Sequence, residues 1–246
     1  MTEVTAALRT EFAPTGKLRV GLNMSNFLLT RTDAATGQPR GVAHDLAQEL
    51  ARRLGLAVEL CPYPNPGALA DAANKGVWDV GFLGAEPLRA NEIDFTPAYV
   101  EIDSTYLVPP GSTIKDIAEV DRKGIRIIVP DKAAYELYLS RTIKNAELVK
   151  EPGGDNSFKR FVEEKFDALA GLRPRLISDQ AKLPGSRILD GSFTAVQQAA
   201  GVPKGRTAAA KYLSAFIEDV KASGLVAKAI KDNKVVGLTI AKKASV

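Results

Sequence analysis

Apolar residues in the first hundred positions alternate between two spacings. Strands are predicted at residues 18–22, 56–60 and 78–83, where apolar runs have the length and composition of buried strands. Residues 42–54 instead place their apolar side chains on one helical face, and Gly55 follows as a helix end. A short helix is expected over 68–74, and Pro87 stands at a favoured first helical position. This alternation predicts a mainly parallel sheet with packed helices.

The same pattern begins again after a predicted strand at residues 104–108. Further strands are predicted at 125–129, 166–169, 188–189 and 193–196. Helices are predicted from Asp131 to about 143, from Ser157 to about 164, from Pro174 onward, and over 206–222 and 225–231. The chain therefore contains two successive series of strands and helices.

Two such series, joined by short strand-like segments, predict an α/β fold with two lobes and a two-strand hinge. The expected division is lobe 1 at 17–103 plus 193–246, lobe 2 at 108–189, hinge crossings at 104–107 and 190–192, and an N-terminal extension at 1–16. Hinged lobes commonly close over a bound ligand, so we expect a ligand cleft between them.

The composition excludes several kinds of chemistry. The 246 residues include 45% hydrophobic and 25% charged side chains, which is typical of a globular chain. Cys61 is the only cysteine and His44 the only histidine, so an intrachain disulfide and a multi-histidine metal site are excluded. No dinucleotide, phosphate-loop or nucleophile-elbow motif is present. We expect no catalytic residues, no metal and no cofactor.

Charge and hydropathy limit the kinds of partner and the location that the sequence predicts. From Lys204 onward there are nine Lys or Arg residues against three acids, spread through helical pattern rather than clustered. We therefore expect a solvated helix face and no nucleic-acid partner. No apolar run reaches the roughly 18 residues of a membrane span, and residues 1–17 lack the apolar core of a secretory leader. Localisation stays open between cytoplasmic and, if a leader was removed, periplasmic; a monomer is expected.

Cations stand at three junctions between a predicted strand and the following helix: Arg89, Lys132, and the pair Arg173 and Arg175. A helix N-terminus is already the positive end of the helix dipole, so a cation there is unfavourable unless an anion binds between them. At most one of Arg173 and Arg175, which flank Pro174, should point inward. Open α/β sheets bind ligands at the carboxyl ends of their strands, so this pattern favours an anion-binding cleft over solvated side chains. Phe27 follows the first strand and is expected either in a pocket wall or in the core.

Four segments resemble the family-3 extracellular solute-binding proteins of ABC transporters, which have the type II periplasmic binding fold. They are Leu18-Arg19-Val20-Gly21, Gly41-Val42-Ala43-His44-Asp45-Leu46-Ala47, Trp78-Asp79-Val80 and Pro87-Leu88-Arg89-Ala90-Asn91-Glu92-Ile93-Asp94-Phe95-Thr96. The last segment is the most specific. The resemblance covers nearly the whole chain and is weaker between 110 and 205.

The resemblance implies a set of binding residues. The arginine of the last segment holds the ligand carboxylate in this family, which implies that role for Arg89, with backbone groups of Leu83 and Gly84 assisting. It also implies that Asn23 and Asn26 shape the side-chain pocket. The start of the first helix of lobe 2, at Asp131, Lys132 and Ala133, would complete the carboxylate site.

Two departures from the family pattern bear on the ligand. Family members that bind α-amino acids carry an acid for the ligand ammonium shortly after a strand of lobe 2, where this chain has Leu172 and Arg173. Hydroxyl residues before the arginine are replaced by Phe82 and Gly84. A buried ammonium without a partner is costly, so we expect weak binding of simple neutral α-amino acids. The expected ligand is a carboxylate without that group, or a dianion that bridges Arg89 and Arg173.

Three functions are consistent with these residues. The leading interpretation is non-catalytic binding of a small carboxylate or other anion, as the binding component of an ABC-type uptake system with a membrane partner. The alternative is a lyase on the same fold, of the cyclohexadienyl-dehydratase kind, with Arg89 and Arg173 as clamps and Glu86 or Asp131 as proton donor. A sensor module shares the ligand chemistry but would need a partner that reads the closed state.

Overall fold

The computed structural model describes residues 4–244. The chain divides into two compact units: the first comprises residues 1–101 and 197–246, and the second residues 102–196. Both predicted crossing segments, 104–107 and 190–192, fall inside the second unit by this division. The first three residues of the predicted N-terminal extension, and residues 245–246 of predicted lobe 1, lie outside the described residues.

The α-helices occur in both units and are labelled in chain order. They are α1 Ala6–Phe12, α2 Val42–Leu54, α3 Pro66–Ala70, α4 Ala134–Thr142, α5 Gly154–Glu163, α6 Arg173–Gln180, α7 Thr207–Ala222 and α8 Leu225–Asp232. Single turns of 3-10 helix occur at Ala73–Lys75, Arg89–Asn91 and Ile117–Glu119. Within the described residues, no helix has the length and apolar character needed to cross a membrane.

The strands are short except for two that pass from one unit into the other. They are β1 Leu18–Asn23, β2 Arg31–Thr32, β3 Pro39–Arg40, β4 Val58–Tyr63, β5 Val80–Gly84, β6 Ile93–Phe95, β7 Val100–Val108, β8 Arg126–Pro130, β9 Glu147–Glu151, β10 Ala168–Leu172, β11 Arg187–Ile188, β12 Thr194–Pro203 and β13 Thr239–Ile240. The unit division falls within β7, after Glu101, and within β12, after Val196. These elements confirm the predicted α/β class with mixed pairing. β1 pairs in parallel with β4 and β5, and β8 with β9 and β10. The two long strands β7 and β12 pair antiparallel with their neighbours, so the predicted predominance of parallel pairing is not observed among the described residues.

The first unit is organised around strand β1. β1 pairs in parallel with β4 on one side and with β5 on the other, and β12 adds to β5 in the antiparallel direction. α2 is apolar on one face, buries Leu46, Leu50 and Leu54 completely, and packs on β1. Gly55 ends α2 in the left-handed conformation with φ 67°, as its sequence position predicts. Trp78 is fully buried and donates to the carbonyl of Leu69 at 3.1 Å.

The segment before β1 belongs to this packing. Phe12 of α1 is fully buried and meets the ring of Tyr212 of α7 edge to face, with ring centroids 5.8 Å apart. α7 has no cap from its own N-cap residue, Arg206. Glu11 supplies one instead, because its carboxylate accepts a hydrogen bond from the backbone N–H of Ala209 at 2.8 Å. The described part of the predicted extension is therefore held to α7 by packing and by a cap.

The second unit has its own sheet and core. β10 lies between β7, its antiparallel neighbour, and β8, its parallel neighbour, and β9 adds in parallel to β8. One face, with Ile127 and Ala170, packs against Leu139 of α4. The other face, with Ile128 and Leu169, packs against helices α5 and α6. Because β8, β9 and β10 run parallel, the helices that follow them all begin at the same edge of this sheet.

Several predicted boundaries are wrong for local reasons. The helix predicted to be capped by Asp131 begins at Ala134, because β8 continues to Pro130 and the Asp131 N–H joins the sheet by donating to Glu151. Ser157 does not cap α5, which begins three residues earlier, and its hydroxyl donates to the Gly153 carbonyl from inside the helix. The helix expected after Pro87 is reduced to the 3-10 turn Arg89–Asn91. The sequence pattern did not predict strand β9, because its charged residues interrupt the alternation of apolar and polar positions.

Acid should weaken the first unit through Glu49 of α2. Its carboxylate accepts hydrogen bonds from Arg52 at 2.7 Å and from Arg53 at 2.7 Å. The hydrogen bond from Arg52, with a smaller one from Arg53 against the opposing effect of burial, lowers the pKa of Glu49 to about 2. A carboxyl group whose pKa is lowered on folding stabilises the folded state at pH values above its ordinary pKa. This contribution is lost as the pH falls toward 2.

We expect Glu49→Gln to lower the melting temperature at pH 7 by an amount equivalent to about 1 kcal/mol or less, since these groups are partly exposed. The difference between the variant and the parent chain should shrink between pH 4.5 and pH 2. Circular-dichroism melts across that range measure it. A difference that is constant with pH would show that the carboxylate charge is not responsible.

Candidate functional site

Residues implied by the sequence gather at the carboxyl edge of the first unit's sheet. β1 and β5 are parallel neighbours, with Leu22 beside Phe82, so Asn23 at the end of β1 lies next to Leu83 near the end of β5. Gly84 follows Leu83 as the last residue of β5 and pairs with Gln198 of β12. The loops that leave β1 and β5 therefore begin side by side. This is the position at which open α/β sheets bind ligands.

Arg89 lies in the loop after β5 and is buried, with 6% of its surface exposed. Its Nη1 donates to the carbonyl oxygen of Gly84 at 2.6 Å, which fixes the guanidinium against the end of the strand. Arg89 does not oppose an α-helix dipole, contrary to the prediction, because this residue begins a single 3-10 turn. Its burial and its fixed position instead support a role for Arg89 in binding an anion. The planar guanidinium, with several N–H donors, is suited to a carboxylate.

Asn23 and Asn26 lie in the loop after β1, and both are buried. The side-chain oxygen of Asn23 accepts from the N–H and the hydroxyl of Ser25, and that of Asn26 accepts from the Leu28 N–H. Each carbonyl end thus shapes the loop, and over residues 4–244 neither amide nitrogen contacts a protein acceptor. The two amides are therefore donors at this edge. Phe27, directly after Asn26, is 44% exposed, so it is not a core residue.

Glu86 is a member of this edge that the sequence analysis named only as a proton donor for the lyase alternative. Its surface is 7% exposed, close to the burial of Arg89 three residues later. Its backbone oxygen accepts from the Ala90 N–H at 3.0 Å, which makes a helical turn of the intervening segment. An acid in an otherwise apolar stretch directly after a buried strand was the available signal. The loop after β5 therefore carries a buried acid as well as the buried arginine.

The second unit brings Asp131, Lys132 and Ala133 to the carboxyl edge of its own sheet, between β8 and α4. Lys132 has a positive φ of 54°, which is uncommon for a residue with a side chain. Its N–H donates to the carboxylate of Glu136 at 3.0 Å, and Glu136 is 1% exposed and also paired with Lys150 at 2.7 Å. Glu136 thereby holds the loop in this conformation. Ala133 is the N-cap of α4 and has no capping side chain.

Arg173 and Arg175 begin α6 and have different partners. Arg173 donates through Nη2 to the carbonyl oxygens of Leu189 and Gly191, so it anchors the segment before β12. Arg175 pairs with Asp155 at 2.6 Å and Asp179 at 2.8 Å. The hydrogen bond from Arg175 lowers the pKa of the Asp155 carboxyl. Arg175 is thus engaged by acids of its own unit, and Arg173 in part by carbonyl groups.

The acids nearest in sequence to Leu172 and Arg173 have structural roles in the second unit. Asp167 precedes β10, at its amino end, and accepts the Arg126 N–H at 2.8 Å. Asp179 is 1% exposed and is held by Arg175. Leu172 ends β10, three residues beyond the predicted strand end, and its side chain carries no polar group.

The chain belongs to the bacterial extracellular solute-binding proteins, family 3, whose sequence pattern matches residues 18–233. That family is the one expected from the segments around Leu18, Gly41, Trp78 and Arg89. Comparison with curated protein sequences gives no significant match.

Solved structures share the fold at low sequence identity. The solute receptors for L-cysteine of Neisseria gonorrhoeae superpose with a TM-score of 0.79 and 20% identity, covering 97% of this chain and all (100%) of theirs. A binding component of an ABC transporter from Wolinella succinogenes, complexed with lysine, gives 0.75 and 21%, covering 89% and 95%. An ancestral amino acid-binding protein, described as a precursor of cyclohexadienyl dehydratase, gives 0.74 and 23%, covering 91% and 98%. The type II periplasmic binding fold is thereby confirmed.

Proposed function

We propose that this chain binds a small solute through its carboxylate, without converting it, as the substrate-binding component of an ABC-type uptake system. The observation that carries the proposal is Arg89, a buried guanidinium fixed at the carboxyl end of β5. Family membership supports the transport role, and the Wolinella succinogenes neighbour is described as a component of an ABC transporter. The partners are then a small carboxylate and a membrane component of such a transporter, with the chain acting as a monomer.

The surroundings of Arg89 support recognition rather than catalysis. Gly84 orients the guanidinium, and Asn23 and Asn26 bring amide donors to the same edge. Fixed donors of this kind match the acceptor oxygens of a carboxylate and fix its orientation. Neither asparagine can exchange a proton at neutral pH, so these donors supply binding contacts and no acid or base.

Removing the Arg89 guanidinium should weaken binding of the preferred solute by about 10- to 150-fold, which is the range expected for a charge-assisted hydrogen-bonded pair. The probes are the standard L-amino acids, 2-keto acids and small dicarboxylates, screened by thermal shift and then titrated by calorimetry. Arg89→Ala and Arg89→Lys should both lose affinity, because a lysine cannot reproduce the two-pronged contact.

Arg52→Ala is the matched control, since Arg52 is an exposed arginine of the same unit whose hydrogen bonds go to Glu49. It should leave the affinity unchanged. The transport proposal predicts that the bound probe is recovered intact after prolonged incubation. Equal affinity of Arg89→Ala and the parent chain, or stoichiometric conversion of the probe, would contradict the proposed function.

A further inference from the structure

Five exposed lysines are concentrated in α8 and in the segment that follows it, and they define what we call the basic surface. They are Lys228, Lys231, Lys234, Lys242 and Lys243. Residues 225–244 contain a single acid, Asp232, so five lysines and one aspartate give this stretch a net charge of +4. The whole chain also has a net charge of +4, so the rest of the sequence is balanced. The excess positive charge of the protein therefore lies in these twenty residues.

The two parts of the basic surface meet at the end of α7. Lys221, the penultimate residue of α7, donates through Nζ to the carbonyl oxygen of Lys242 at 3.0 Å, which holds the C-terminal segment against this helix. α8 begins at Leu225, four residues after Lys221. Lys228 and Lys231 lie on the side of α8 opposite its buried residues. The exposed side of α8 and the C-terminal segment thus adjoin in the first unit.

Most of these lysines have no acid to balance them. Lys228 pairs with Asp232, and over residues 4–244 no ion pair or hydrogen bond engages the ammonium groups of the other four. The nearest acid of α7, Glu218, already pairs with the buried side chain of Lys221 at 2.8 Å. Four uncompensated charges on one region attract a partner that is itself anionic over an extended area.

Exposed apolar side chains accompany the lysines. Val236 is 83% exposed and Ile240 is 38% exposed. A lysine carries its charge at the end of a flexible apolar stem, so its ammonium can lie among phosphate groups while the stem and its apolar neighbours contact acyl chains. Nucleic-acid surfaces rely on arginine and on aromatic side chains, and residues 225–244 contain neither. This combination matches an anionic lipid surface better than a nucleic acid.

We propose that the basic surface binds the anionic headgroups of a lipid bilayer and so places the chain at a membrane surface. This replaces the expectation that these lysines form only a solvated helix face. It goes beyond the proposed function and does not depend on it, because Arg89 and the solute take no part. Association with a bilayer would raise the local concentration of the chain beside a membrane-embedded transporter component.

Co-sedimentation of the full chain with lipid vesicles tests the proposal. The parent chain should bind vesicles that mix phosphatidylcholine with phosphatidylglycerol, and it should not bind vesicles of phosphatidylcholine alone. Affinity should fall at least about 10-fold between roughly 0.05 M and 0.5 M salt, because the screening length shortens to a few ångströms. Val236→Ser should weaken binding about 3-fold, since an apolar contact with the acyl region is lost.

Neutralising the four lysines without an ion pair should weaken vesicle binding at least about 30-fold, because each lysine close to an anionic surface contributes roughly 5-fold. The variant carries Lys231→Gln, Lys234→Gln, Lys242→Gln and Lys243→Gln. The matched control removes the same charge from exposed lysines elsewhere, through Lys17→Gln, Lys75→Gln, Lys115→Gln and Lys123→Gln. It should change binding by less than about 3-fold. Both variants should keep the parent circular-dichroism spectrum and solute affinity.

Several results would overturn the inference. Equal losses in the two four-lysine variants would show that net charge alone attracts the vesicles. Absence of binding to the anionic vesicles at low salt would refute the surface directly. Tighter binding to duplex DNA or to polyglutamate than to the vesicles would assign the lysines to another partner. Complete displacement by soluble glycerol phosphate, at the headgroup concentration of the vesicles, would indicate a site for a single phosphate in place of a bilayer surface.

Discussion

Asp79→Asn should destabilise the first unit by about 3–5 kcal/mol, the loss that follows when one partner is removed from a buried ion pair. Asp79 is fully buried, and one carboxylate oxygen accepts from the backbone N–H and the Nε of Arg19, at 3.1 and 2.9 Å. The other oxygen accepts from Arg19 at 2.8 Å and from Arg206 at 2.9 Å. An asparagine amide would point two donors at guanidinium groups that are themselves donors, and would leave both arginine charges without a counterion.

Urea unfolding measures this effect, and the fluorescence of Trp78, the sole tryptophan, reports it from the neighbouring position. Asp232→Asn is the control, because Asp232 pairs with Lys228 at an exposed position of α8 and should have no measurable effect. A midpoint for Asp79→Asn within error of the parent chain would show that the two arginines find other partners. The same loss in both variants would indicate a general effect of charge.

Gly41→Ala should cost about 2–4 kcal/mol, since it combines backbone strain with overpacking. Gly41 has φ 127°, a conformation that residues with a side chain rarely adopt. A Cβ there would lie 2.4 Å from the carbonyl oxygen of Leu29, which already accepts the Ala43 N–H at 3.1 Å. Relief would therefore require the loop after Asn26 to move, so the variant should also weaken ligand binding.

Gly37→Ala separates the two causes. Gly37 has a positive φ of 70°, and a Cβ at this residue would meet nothing within 4 Å. It should therefore cost only about 1 kcal/mol, the penalty for a side chain in the left-handed region. Urea midpoints and calorimetric affinities of both variants test the prediction. Equal destabilisation by the two substitutions would contradict a role for the contact with Leu29.

The sequence predicted well those parts of the fold whose causes are local. The bounds of α2 follow from its apolar face and Gly55, and the break between α7 and α8 follows from Gly224. Boundaries failed where a distant strand decided them. Asp131 does not cap α4, because its N–H extends the sheet by donating to the carbonyl of Glu151. Glu151 lies twenty residues later in the chain and ends β9, a strand that the sequence pattern did not predict.

The candidate site divides in the same way. The motif around Arg89 indicated this residue directly, and parallel pairing of β1 with β5 follows from the alternation of strands and helices. The partners of Arg173 and Arg175 could not be predicted, because they depend on Gly191 and Asp155, which only the folded chain brings close. A basic residue at a strand end therefore does not by itself indicate an anion-binding site, because acids or carbonyl groups of the same unit can be its partners.

The contact between Glu11 and α7 shows that the segment matched by the family pattern is shorter than the segment that packs together in the fold. The family pattern begins at residue 18, yet the N-terminus of α7, near residue 209, is capped by a carboxylate that lies before that start. A fragment cut at the family boundary would lose this cap and expose the ring of Tyr212 that Phe12 covers. Evolutionary relatedness thus defines a shorter segment than the one whose atoms cooperate in folding, and expression fragments should follow the longer one.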